Sequence, residues 1–390
     1  MRMQRRYVGV ATMVSVMLVL AACQGGTISV GKGLCREVGD VTATQPSPPA
    51  ASGTSDALIG VVTDVGTLDD KNFNEYSWLG AQWGATAIGA PDPEAIVTTS
   101  SADYEANIQT FVDQNYDVIV TVGFAIGAAT LAAAADNPDI HFIGVDQFQT
   151  NSDNFDPAVA PLPNYESVIF NEAQAGYLAG IVAASITKSK EIAAIGGSGT
   201  IPPVVNYMRG YENGAHSVDA DVVVKLKYIS NDLSVAFNDP TTGKSFADQF
   251  LSQNGDVDVL FQVAGKTGNG ILQAAEGAGI YAIGVDVDQW QSAHEQAECI
   301  YTSAEKKLTK AVSDSIIAFG AGEPRSSNVF YGANNDGIGL SPYYQFDSVV
   351  PAEVKTKVQE AFDGMAADPA TVDPCQPSNK CYAGEEDKGT

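Results

Sequence analysis

The sequence predicts an α/β protein of two lobes, each built on a parallel sheet. Three observations predict it. Short apolar runs such as Ile59–Thr63 end abruptly in Asp, Gly or Asn, as buried parallel strands do where they meet a loop. Helical patterns alternate with those runs, and single helices between strands imply βαβ units. The tetrapeptide Ile–Gly–Val–Asp occurs at Ile143–Asp146 and again at Ile283–Asp286, once in each half of the chain and in the same local context.

Taken in order, the first block holds strands at Ala57–Thr63, Asp117–Gly123 and Ile140–Asp146, with helices at Glu75–Gly89, Tyr104–Gln114 and Ile126–Ala135. A Pro-rich loop, Asp156–Pro163, closes it. The second block holds strands at Ser167–Phe170, Glu191–Gly196, Val222–Tyr228, Val257–Val263 and Ile280–Val285. Its helices are Glu172–Thr187, Val204–Ser217, Gly243–Gln253 and Gly268–Gly277. The late pieces are a strand (Cys299–Ser303), a helix (Ala304–Gly320), an extended stretch (Asn328–Gly332) and a terminal helix (Pro351–Met365). They are too few for a third domain and most simply return the chain to each lobe in turn. The expected organisation is therefore residues 56–165 with about 299–327 as lobe 1, 166–298 with about 328–365 as lobe 2, and 366–390 as a surface tail. Three crossings between two sheets resemble the type I periplasmic binding-protein fold, two Rossmann-like lobes joined by a three-crossover hinge.

The N-terminus carries an address. Arg2, Arg5 and Arg6 precede an apolar stretch, Val8–Ala22, too short to span a bilayer comfortably. It ends Leu20–Ala–Ala–Cys23, which resembles the lipobox of bacterial lipoproteins. Residues 1–22 then read as a cleaved signal and Cys23 as the lipidated residue, held stably where two or more acyl chains insert. Residues 23–55, rich in Gly, Ser, Thr, Pro and Ala, read as a flexible tether. With Cys23 lipidated, four of the five cysteines remain. Cys375 and Cys381, six apart in a Pro/Ser/Asn loop, are the first expected disulfide, which leaves Cys35 and Cys299 as an open second pair. His141, His216 and His294 have no metal-ligand spacing with the cysteines, so no metal is expected.

Forty-seven acidic residues against 21 basic ones give a formal charge of −26. That argues against a nucleic-acid surface and against an anionic ligand, without forbidding a local basic site. No catalytic set emerges: there is no nucleophile elbow and no Cys–His pairing, so the chain is expected not to be an enzyme and to need no cofactor.

The chemistry instead gathers at strand ends, where open α/β sheets bind ligands. Thr63–Asp64, Gly144–Asp146 and Gly284–Asp286 place carboxylates there, and a carboxylate accepts from ring N–H groups or from a vicinal diol. Asp69–Asp70–Lys–Asn–Phe73–Asn74 offers an aromatic face amid amides. Gly265–Lys–Thr–Gly–Asn–Gly270 opens a helix without matching a phosphate-loop fingerprint.

These segments, together with Val62–Gly66, Gly176–Tyr–Leu–Ala–Gly180, Gly284–Gln289 and Thr302–Ser303…Lys306, resemble the basic membrane protein family, the PnrA-like purine nucleoside-binding lipoproteins of ABC importers. The similarity runs from about Leu58 to Pro342. The resemblance implies that Phe73 stacks on a base and Asn74 and Asp146 read its edge. It implies that Tyr207 is a second stacking ring, that Gly265, Asp286 and Lys306 hold the ribose, and that Asp64 lines the cleft. It further implies a monomeric, lipid-anchored binding protein on the outer face of the cell membrane that serves an ABC permease and its ATPase. Tyr207–x–x–Gly–Tyr211 stands where the family usually has phenylalanines. A binding protein of the same fold for a sugar or signalling molecule is the alternative. A secreted nucleoside hydrolase ranks last, because Asp69–Asp70 is a poor metal cluster.

Overall fold

The computed structural model describes residues 32–39, 47–51, 53–149, 161–368, 372–375, 381 and 385–390. The signal segment and Cys23 lie outside them.

The chain runs β1 (Ile59–Thr63), α1 (Phe73–Ile88), β2 (Glu94–Ile96), α2 (Tyr104–Asp113), β3 (Val118–Val122), α3 (Gly127–Asp136), β4 (His141–Val145) and β5 (Tyr165–Phe170). It continues through α4 (Glu172–Ile186), β6 (Glu191–Gly196), α5 (Pro202–Val218), β7 (Val223–Tyr228), α6 (Leu233–Asn238), α7 (Pro240–Gln253), β8 (Val259–Val263), α8 (Gly265–Ala278) and β9 (Tyr281–Asp286). It ends with α9 (Gln289–Ser292), β10 (Ile300–Lys306), α10 (Leu308–Gly320), β11 (Ser327–Tyr331), β12 (Ile338–Leu340) and α11 (Ala352–Ala367). Two six-stranded sheets result, ordered β11-β5-β4-β3-β1-β2 and β12-β10-β9-β8-β6-β7. Every pairing is parallel except β10 with β12. Strands β1, β3, β4, β5 and β8 are buried throughout, which is why they are mainly apolar without a regular polar alternation.

The late strands pair differently from the expected boundaries. The strand beginning near Cys299, assigned to lobe 1, lies between β9 and β12 in the second sheet. The segments at Ser167–Phe170 and Asn328–Gly332, assigned to lobe 2, are β5 and β11 of the first. The chain crosses after each strand, not before it. Strand carboxyl ends adjoin the other lobe, so a crossing there needs only Asn171 between β5 and α4, or Lys307 between β10 and α10. After that second crossing α10 packs on α1 of the first lobe. The strand also extends further than expected: of Ala304–Lys306, read as helix, all three pair with β12, and Ala304 and Glu305 also pair with β9. Ladders on both edges outweigh local helix propensity.

Helices α4 and α5 explain two motifs. Cβ atoms added at Gly176 and Gly180 would lie 2.2 and 2.1 Å from the carbonyl oxygens of Tyr207 and Tyr211. Added at Gly210 and Gly214, they would lie 2.2 and 2.0 Å from those of Ala173 and Tyr177. The four glycines let the two backbones touch, which only the missing side chain permits. This seats Tyr207 and Tyr211 in the core, 1% and 0% exposed.

The tail returns to the second lobe. Asp387 takes a bidentate ion pair from Arg209, Nε to Oδ2 and Nη2 to Oδ1 both at 2.6 Å, and Glu212 takes Nη1 at 2.7 Å. Thr390 donates its N–H to the carbonyl of Leu226, on edge strand β7. Arg209 is 4% exposed, so removing its tail partner uncovers half of a buried charge. Asp387→Ala is expected to lower unfolding free energy by about 3 kcal/mol, the range for a broken buried pair. Urea denaturation checks this, and a change within ~0.5 kcal/mol would mean that Glu212 alone suffices. Cys375 and Cys381 are disulfide-bonded within the same tail.

Candidate functional site

A cleft opens where the carboxyl ends of both sheets face each other. Asp64, Phe73, Asn74, Asp146, Tyr207, Gly265, Asp286 and Lys306 all line it. Asp64 follows β1, Asp146 follows β4, Asp286 ends β9 and Lys306 ends β10.

The repeated Ile–Gly–Val–Asp has a geometric meaning. Asp146 and Asp286 both adopt left-handed backbone, φ 60° and 64°, a strained choice for a residue with a Cβ. A glutamine folds back beneath each strand, Gln147 directly after Asp146 and Gln289 three residues after Asp286: a Cβ on Gly144 or Gly284 would meet Gln147 or Gln289 below 3 Å. Gln147 Nε2 donates to the carbonyls of Thr121 and Gly123, at 3.1 and 2.9 Å. Gln289 Oε1 accepts from Val285 N–H at 2.9 Å. Both lobes thus use one device to turn a carboxylate toward the cleft.

Lys306 joins them. Its Nζ lies 2.5 Å from Asp146 Oδ2, 3.3 Å from Glu172 Oε1 and 3.8 Å from Asp286 Oδ1, and its side chain is 2% exposed. It also stands 5.2, 5.5 and 5.7 Å from the ring centroids of Phe73, Phe170 and Tyr207, within cation–π range. Burial by itself would lower the lysine's pKa, but the three carboxylates outweigh it and hold the ammonium charged. Burial pushes Asp286 up to about 6 against the pull of Lys306, and raises Asp146 and Glu172 likewise. Asp64 is pushed up to about 7 by burial, although Ala125 N–H donates to it.

Two residues separate structural from ligand-facing chemistry. Asp70 accepts from the backbone N–H groups of Asn72, Asn74 and Glu75, at 2.8, 2.9 and 3.0 Å. It caps the amino end of α1 and holds Phe73 and Asn74 at the cleft. Asn74 Nδ2 donates to the carbonyl of Val65 at 2.9 Å, while Asn74 Oδ1 and Asp146 Oδ1 are buried acceptors without a hydrogen-bond partner. The glycine run after β8 has two roles. Gly265 takes φ 51° at the cleft, whereas a Cβ on Gly270 would lie 1.9 Å from the Pro240 carbonyl oxygen, so that glycine serves the α7–α8 contact.

Tyr207 lines the cleft yet belongs to the core: its hydroxyl donates to the carbonyl of Ala304 at 3.3 Å and its ring meets Phe261 edge-on. The second lobe's more exposed aromatic wall is Phe237 on α6, beside Leu233, Ile201, Pro203, Val204 and Val263. Sequence reasoning missed Phe237 and Glu172, and it marked Gly123–Phe124 as a strand end without giving Phe124 a role. Phe124 follows Gly123 at a strand end, and that position was its signal. Among the described residues no group of His, Cys, Asp and Glu could hold a metal ion, and no helix is long and apolar enough to cross a membrane.

Two α/β lobes, three crossings and one cleft between the sheets define a periplasmic-type solute-binding protein. The chain belongs to the Bmp family, the PnrA-like substrate-binding proteins of ABC transporters, whose model matches residues 57–363. These are binding proteins and not enzymes. It is 29% identical over 331 residues to the CD4+ T-cell-stimulating antigen of Listeria monocytogenes, covering 80% of this chain and 87% of that one. It is 29% identical to the ABC transporter nucleoside-binding protein BmpA of Lactococcus lactis, covering 82% and 92%. Among solved structures, a solute-binding protein of an ABC transporter system from Aeropyrum pernix superposes with a TM-score of 0.70 at 25% identity, covering 80% of this chain and 91% of that one.

Proposed function

We propose that this chain captures a nucleoside, with a purine base, in the inter-lobe cleft and hands it to an ABC permease. In this reading the chain works as a monomer on the outer face of the membrane, held there by lipid on Cys23. The observation that carries the reading is the pair of orphaned buried acceptors, Asn74 Oδ1 and Asp146 Oδ1, on residues that line the same cleft as Phe73, with an apolar wall contributed by the second lobe. A buried acceptor without a partner costs about 1–3 kcal/mol. A flat ligand with N–H and O–H donors on its edge recovers that cost while its faces contact the rings. The relative named as a nucleoside-binding protein supports the same class.

Asp146, Asn74 and Asp64 then read the base edge, and Asp286, Lys306 and Gly265 hold the sugar. Phe73 and Phe237 are the stacking walls, with Tyr207 supporting the floor. Calorimetry with purine nucleosides tests this. Phe73→Ala and Phe237→Ala are each expected to weaken binding by about 1–3 kcal/mol, the range for base–aromatic stacking. Unchanged affinity in both folded variants would remove the stacking model and with it the nucleoside reading.

A further inference from the structure

We infer that the N-terminal arm is a disulfide-fastened part of the second lobe, so that whatever holds the N-terminus carries the protein by that lobe's pole remote from the cleft. The first lobe is then the one left free to swing.

The observations are topological. Residues 32–39 run beside the starts of three strands of the second sheet. Lys32 N–H donates to the carbonyl of Ala278, Leu34 N–H to that of Gly279 and Arg36 N–H to that of Glu298, at 2.9, 2.9 and 2.8 Å. Lys32 Nζ reaches the carbonyl of Val257 at 2.9 Å, and the Arg36 guanidinium stands 6.0 Å from the Phe346 ring centroid. Cys35 is disulfide-bonded to Cys299, 264 residues away. Val257, Ile280 and Cys299 immediately precede β8, β9 and β10, whereas the cleft residues Gly265, Asp286 and Lys306 lie at the other ends of those strands. At about 3.3 Å per residue, strands of this length put the arm roughly 17–23 Å from the cleft. The chain enters the first lobe only later, where Ser55 N–H donates to the carbonyl of Gly89.

The fastening changes the reach of any anchor. From Cys23 to Lys32 the chain extends at most about 30 Å, but from Cys23 to Ser55 about 110 Å. A short leash keeps the second lobe at a higher effective concentration near a membrane partner. This membrane consequence rests on the proposed anchor at Cys23; the covalent fastening does not.

A specific protease site inserted between the exposed residues Ala50 and Ala51 tests both parts. After cleavage of the detergent-solubilised full chain, a non-reducing gel is expected to show one band, and dithiothreitol is expected to split it in two. Two bands without reductant would overturn the fastening. In membranes, the cleaved body is expected to stay in the pellet until reductant is added, while the Cys35→Ser/Cys299→Ser variant is released by cleavage alone. If the intact-cysteine body is released by the protease while the gel still shows one band, the proposed anchor fails and the fastening stands. The double variant is expected to bind nucleoside within twofold of the parent. A tenfold loss would overturn the remoteness of the arm from the site.

Discussion

Lys306→Met is expected to abolish ligand binding and to destabilise the folded protein by about 3–5 kcal/mol at pH 8, the cost of removing one partner from a buried ion cluster. Methionine fills nearly the same volume, so little of the loss would come from a cavity. What disappears is the cation facing Asp146, Glu172 and Asp286. The effect has a definite pH sign. These carboxyls have folded pKa values raised by burial, so the folded state binds protons more tightly than the unfolded chain and gains stability as pH falls through the raised values. Without the lysine those values rise further. The penalty should therefore be largest at pH 8 and shrink toward pH 5, where the carboxyls take up protons instead of standing unpaired. Urea denaturation of both proteins at the two pH values decides it. An equal penalty at both would assign Lys306 a packing role and not a charge-balancing one.

The buried strands were readable because a strand covered on both faces leaves no room for polar alternation, and Val118–Val122 or Val259–Val263 show it. Asp146 and Asp286 were readable through repetition: one tetrapeptide used twice marked the same turn in both lobes. What stayed hidden is set by partners distant in sequence. Ala304–Lys306 look helical until Ile338–Leu340 pair with them. The lobe to which β5, β10 and β11 belong depends on strand order, which no local pattern encodes. Phe237 sits on a six-residue helix in which Ala236 alone is buried, too little to form an apolar stripe. Glu172 reads as an acidic residue placed to suit a helix start, and its role appears only when Lys306 arrives from the other end of the chain. Tyr207 shows the opposite limit. The family resemblance implied a second stacking ring there, yet the neighbouring Gly210 helps bring α4 and α5 together and draws the tyrosine into the core.

The cleft is also expected to rank related ligands: nucleosides above free bases, and both above nucleoside 5′-monophosphates. Five buried or half-buried carboxyls line or adjoin it, from Asp64, Asp70, Asp146, Glu172 and Asp286, while among the described residues that line it Lys306 is the one cation. Ionised carboxylates accept and do not donate, so they favour hydroxyl and ring N–H groups. A phosphate dianion placed about 6 Å from one ionised carboxylate would be repelled by roughly 5–6 kcal/mol at an effective dielectric constant of about 20. Calorimetry at pH 8 should then show the monophosphate at least about a hundredfold weaker than its nucleoside. Lowering the pH protonates Asp64 near 7 and Asp286 near 6, which removes repulsion and narrows that gap by pH 5. The ligand phosphate also gains a proton near pH 6, so the pH trend cannot by itself assign the effect to the protein. Asp286→Asn separates the two, because at pH 8 it removes a protein charge while the phosphate stays fully ionised. The variant should narrow the nucleoside-to-monophosphate gap at pH 8. Asp286→Ala should in addition narrow the nucleoside-to-base gap, since the acceptor for the sugar hydroxyls is gone. Tighter binding of the monophosphate than of the nucleoside to the unaltered protein would sink the assignment of Asp286 and Lys306 to the sugar end of the cleft.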